Sequence, residues 1–118
     1  MDMIELAERC ERGAEVQWLT SDIDGLTRAL IGPSWTMNDW GLVNDAIREN
    51  SLDAVVALLE RVLPGWLWNV SNFDGNGKAS AFIGAGPLDD TADGAAASPA
   101  RALLGAILRA LAAKDETP

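Results

Sequence analysis

The sequence predicts an α+β fold, in which a small antiparallel sheet packs with helices in a single compact domain. Two segments, 51–63 and 98–113, carry apolar residues at helical spacing behind a serine suited to the N-cap. Between them, residues 66–71 alternate Trp66, Trp68 and Val70 with Leu67, Asn69 and Ser71, the period-two pattern of a half-buried strand. At 118 residues the chain has the length of one domain and can bury a core without disulfides or metal.

The elements follow in order. Met3, Leu6, Ala7 and Cys10 share one helical face, with Glu5–Arg9 and Glu8–Arg12 spaced to pair on the other, and Gly13 ends that helix. Ser21-Asp-Ile-Asp24 resembles a capping box ahead of Ile23, Leu26 and Leu30, and Gly32-Pro33 stops this second helix. Gly25 weakens it by about 1 kcal/mol relative to alanine, so packing is expected to hold it. Residues 33–50, with Trp35, Asn38, Trp40 and Gly41, read as an irregular passage with a short helix over 42–49.

Ser51 restarts the pattern, and Leu52, Val55, Val56, Leu59, Val62 and Leu63 form a broad apolar stripe that Pro64-Gly65 ends. Residues 66–72 and 78–84 then read as a hairpin around Asp74-Gly-Asn-Gly77, whose glycines supply the positive φ of a tight turn. Residues 85–97 are rich in Gly, Ala and Asp and read as an acidic loop. Ser98-Pro99 places an N-cap before a proline at the first helical position, and Leu103, Leu104, Ile107, Leu108 and Leu111 follow on one face. The domain is expected to span residues 1–113, with 114–118 a flexible tail. The helices from Ser51 and Ser98 are expected to cover one sheet face and make Trp68 a core residue.

Charge is the unusual global property. Eighteen acidic residues oppose nine basic ones, a net charge of -9. Such a surface repels nucleic acid, whose affinity for proteins comes from Lys and Arg neutralising phosphates. It suits a protein partner with a basic surface. The chain has no histidine and one cysteine, so no His-based triad, His metal site or cysteine zinc site is available to it. Asn72–Gly77 has the beginning of a calcium loop, but the twelfth position falls on Ile83 instead of Glu, and the turn reading is preferred. No enzyme activity, cofactor or metal is expected. Apolar stretches fall short of the roughly 20 residues that span a bilayer, the N-terminus lacks a basic-then-apolar leader, and a lone cysteine suits a reducing cytoplasm.

Two places are candidate protein interfaces. Asp89, Asp90 and Asp93 cluster in the acidic loop, where large apolar residues are absent. Trp35 and Trp40 bracket Asp39 and offer large anchors beside a charge.

Ser51-Leu-Asp-Ala54, Leu63-Pro-Gly-Trp66 and Ser98-Pro-Ala100, with Leu6–Glu11 more loosely, give the chain its one family likeness. It resembles small phage and prophage proteins described as having an α-β-α sandwich domain. The likeness covers about half the chain; residues 14–50 depart from it. It implies a phage or prophage accessory protein acting in the host cytoplasm and carries over no catalytic residue. Two functions stand open on this basis. One is a non-enzymatic protein that binds a host protein through acidic surface, as an anti-CRISPR inhibitor of host defence does. The other is a structural or assembly protein of the phage particle, which would oligomerise through its sheet edge or helices; a homodimer is open to either function.

Overall fold

The computed structural model describes residues 3–12, 18–71, 79–85 and 91–116, with side chains through residue 113. Five helices and three strands run in the order α1 (Met3–Arg12), α2 (Thr20–Ile31), α3 (Met37–Arg48), α4 (Leu52–Val62), β1 (Leu67–Ser71), β2 (Ala79–Gly84), β3 (Thr91–Ala96) and α5 (Pro99–Glu116). The strands form an antiparallel meander, β1-β2-β3. The fold is the expected single compact α+β domain, with a Cα radius of gyration of 13.1 Å.

The last helix is the centre of the molecule. Every residue from Ala102 to Leu108 is buried, because β3 and β2 lie against one side of α5 while α1 and α4 pack on others. A helix buried all round must be apolar all round, and Ala102-Leu-Leu-Gly-Ala-Ile-Leu108 is. Its start is fixed as the sequence indicates: Ser98 Oγ accepts from the Arg101 N–H and donates to Asn50 Oδ1. Asn50 has φ 56°, a left-handed conformation that asparagine tolerates, in the turn from α3 to α4. That turn and the α5 N-terminus are further joined by Arg101, which donates to the Ile47 carbonyl oxygen.

Sheet and helix approach closely because the residues between them are small. Ala79, Ala81 and Ile83 of β2 and Gly94 and Ala96 of β3 face α5 and are buried. At Gly94 a Cβ would drive into the carbonyl oxygen of Ala102 and lie 3.0 Å from the Ala106 nitrogen. Glycine is there for close backbone approach.

Several expectations are corrected. Residues 33–50 are not irregular: α3 occupies 37–48, capped by Thr36 and Asp39, a Thr-x-x-Asp box that the tryptophans and Gly41 obscured. Residues 85–97 are not all loop, since 91–96 form β3. Thr-Ala-Asp-Gly-Ala-Ala has no apolar alternation to announce a strand; it is one because α5 requires a flat surface of small residues. The helix α5 runs to Glu116, into the expected tail. The α2 box sits earlier than expected, with the Asp22 carboxylate accepting from the Leu19 N–H at 2.8 Å. The turn Asp74–Gly77 falls outside the described residues. Among the described residues α5 is the helix laid along the sheet, α1 touches the β3 margin, and α4 packs instead on α3 and α5.

Trp68 does share the α5-facing side, through its register with Ile83. But β1 is the sheet margin, and Trp68 remains 42% exposed. A core role for it is thereby overturned. Trp68→Ala should cost under about 2 kcal/mol, below the roughly 3–5 kcal/mol of a buried tryptophan; a denaturant-melting loss in that upper range would contradict its marginal position.

Candidate binding surface

The outer face of the sheet is set by the same alternation that buries the inner one. With Ala81 and Ile83 turned towards α5, Phe82 must turn away, and it is 53% exposed. Register places Asn69 and Asp93 on either side of it, both exposed. Leu67, 64% exposed, stands at the start of β1 two positions from Asn69 and on the same face. Asn69, Ser80, Phe82, Asp93 and Ala95 are all exposed, and no helix covers this face among the described residues. A carboxylate beside an aromatic ring is a receptor for a guanidinium, which can pair with the acid while lying over the ring.

The two margins of this sheet differ. The side of β3 that faces away from β2 is closed by two charged side chains from helices. Glu11 of α1 accepts from the Ala95 N–H at 2.8 Å, and Arg109 of α5 donates to the Asp93 carbonyl oxygen at 3.2 Å. The two are themselves joined by a bidentate pair, 2.5 and 2.6 Å. The Glu11 carboxylate lies in a notch between Gly94 and Gly105; a Cβ on Gly105 would meet its Cγ at 2.8 Å. The paired carboxylate pushes the Arg109 pKa further up. Sequence reading could not have found this pair, because 98 positions separate its members.

The predicted interface residues divide. Asp93 is on the outer face as described; Asp89 and Asp90 lie outside the described residues. Asp39 is not a surface charge: it is 5% exposed, accepts from the Thr36 N–H at 3.0 Å and its hydroxyl at 3.1 Å, and lies 3.6 Å from Arg61 Nε. Trp40 is half-buried and donates its indole N–H to Asp24 at 2.7 Å. Trp35 is half-buried in the turn from α2, its backbone N–H donating to the Gly32 carbonyl oxygen. These three belong to the α2–α3 junction, and the structure does not join them to Asp93 on the sheet. Phe82 is the residue that sequence reading missed, although the inward Ala81 and Ile83 were the signal for it.

Besides Arg109, two ionisable groups among the described residues depart from ordinary behaviour. The Asp22 carboxyl is held below its usual pKa, first by the Leu19 N–H and then by Arg9. Its contribution is therefore present above the ordinary carboxylate pKa and lost as pH falls through the lowered one. Cys10, fully buried, is pushed up to about 12, chiefly by burial and secondly by the charge of Glu11. Burial of the neutral thiol supports the fold below pH 9.0, its ordinary value, and that support declines between there and about 12. A thiol reagent at mildly alkaline pH should modify Cys10 only on unfolding; fast labelling of the native protein would contradict this.

Among the described residues no group of three or more Cys, Asp or Glu is placed to hold a metal ion. No helix there is long and apolar enough to cross a membrane. No family model, curated protein or solved structure matches the chain.

Proposed function

We propose that this domain is a non-catalytic binding protein that docks the outer face of its sheet onto a basic surface of a partner protein. The observation that carries this reading is the exposed pair Phe82–Asp93 on a sheet face that no helix covers among the described residues, in a chain of net charge -9. Phe82 supplies apolar contact area and Asp93 the charge that orients a Lys or Arg against it. Leu67 extends the patch along β1. The acidity of the whole molecule steers the encounter and repels nucleic acid from the same surface.

The specific form we propose is an inhibitor of a host defence complex, of the anti-CRISPR kind, working in the cytoplasm of a phage-infected or prophage-bearing cell. Support for that form comes from the resemblance of Ser51–Trp66 and Ser98–Ala100 to small phage proteins, and from an acidic surface that matches a nucleic-acid-binding groove in charge. The test is affinity capture from host lysate at low and high salt, with the parent protein and a Phe82→Ser/Asp93→Asn variant as bait. The partner should be retained by the parent at low salt, released at high salt and missed by the variant. Equal retention by both baits would contradict the surface. Recovery of particle proteins alone would favour the assembly role.

A further inference from the structure

A groove of about 360 Å³ is lined by residues of α1 and α2 and by none of the sheet. Its size falls within the range of small-molecule sites, roughly 300–1,000 Å³. Leu6 and Leu26 are buried in its floor, with Ala29 half-buried beside them. Arg9, Asp22 and Arg28 stand at its rim.

The rim charges are not equivalent. Arg9 is engaged, its Nη2 3.0 Å from Asp22 and its guanidinium stacked 4.6 Å from the centre of the Trp18 ring. Asp22 and Arg9 therefore offset one another. Arg28 is exposed and has no ion-pair partner among the described residues. An apolar groove whose uncompensated charge is a single cation is unusual in a chain that carries twice as many acids as bases.

Gly25 forms part of the groove wall, and its conformation does not require glycine, since its φ is helical. Nor does packing require it: a Cβ there would find nothing within 4 Å, unlike one at Gly94 or Gly105. The expectation that packing holds α2 in spite of Gly25 is met by its buried Ile23, Leu26, Thr27 and Leu30, and not by any contact at Gly25 itself. Gly41 of α3 is equally open; Gly25 differs in standing in the wall of an apolar groove with a cation at its rim. A side chain at Gly25 would narrow that groove.

We propose that this groove binds a carboxylate with an apolar body, the body lying over Leu6, Leu26 and Ala29 beside Gly25 and the carboxylate pairing with Arg28. A free carboxylic acid and the C-terminal residue of a polypeptide present the same chemistry. The experiment titrates the isotope-labelled full chain with octanoate, N-acetyl-leucine, octanol and acetate, following backbone amide shifts. Octanoate represents the free acid and N-acetyl-leucine the polypeptide terminus.

At least one of these two should move the amides of Gly25, Leu26 and Ala29 with a Kd on the order of 1 mM, and the tighter of the two identifies the source. Octanol, without charge, and acetate, without an apolar body, should leave those amides in place. Arg28→Gln should weaken binding about tenfold, the loss expected for a charge-assisted hydrogen bond. Gly25→Leu should suppress the shifts with the melting temperature unchanged or raised. The exposed Arg28→Gln variant keeps the test valid should Gly25→Leu fail to fold. Equal shifts from octanol and octanoate, undiminished binding by Arg28→Gln, or no shift at about 10 mM of either acid would overturn the site. Because the sheet's outer face takes no part, this result is independent of the proposed partner.

Discussion

Gly94→Val should destabilise the protein by about 3 kcal/mol or more, although valine is the better strand former. Propensity alone gives the opposite sign, since glycine in a strand interior weakens it and β-branched residues strengthen it. Packing decides. The first added carbon would drive into the Ala102 carbonyl oxygen and crowd the Ala106 nitrogen, both backbone atoms of the central helix that cannot swing aside. Overpacking usually costs about 1–3 kcal/mol when side chains can yield, and here they cannot. Even Gly94→Ala should lose stability. Urea melts of both variants measure this, and a gain in stability for either would mean that α5 and β3 are not in backbone contact.

Glu11→Ala should cost about 2–4 kcal/mol, far more than an ordinary exposed ion pair, worth about 0–1 kcal/mol. The Glu11 side chain is 12% exposed and that of Arg109 30%, so both are only partly screened by solvent. Removing Glu11 strands the Arg109 guanidinium and leaves the Ala95 N–H at the sheet margin without its acceptor. Most of that cost is the stranding, so Arg109→Met added to Glu11→Ala should cost little more than Glu11→Ala alone. Chemical denaturation of the two single variants and the double variant forms the cycle. Strictly additive losses would show that the two side chains do not act as a unit.

Local signals made the helices legible and tertiary ones hid the rest. The N-caps Ser51 and Ser98, the Gly32-Pro33 stop and the Pro64-Gly65 turn are each written within a few residues, and each is where it was expected. Gly65 indeed has the positive φ, 84°, that the stop needs. By contrast β3 has no pattern of its own: Ala92, Gly94 and Ala96 make sense only beneath α5. The helix α3 announced itself through Thr36 and Asp39, but Trp35, Asn38, Trp40 and Gly41 together outweighed that box. Composition suggested an acidic loop around Asp93, whereas the residue lies on a strand with Phe82 as its neighbour. An aromatic in a run of small residues was the clue to the exposed face, and it became readable only with the register in hand.

The proposed role turns on that face. Amide shifts of the labelled protein titrated with a short arginine-rich peptide at low salt test it most directly. The account predicts that the largest changes fall on Asn69, Phe82 and Asp93, that Phe82→Ser and Asp93→Asn each weaken the interaction with the melting temperature held within about 1 °C per few tenths of a kcal/mol expected of surface changes, and that residues of α3 and α4 stay in place. Shifts spread evenly over the acidic surface, or centred on Trp35 and Trp40, would contradict it.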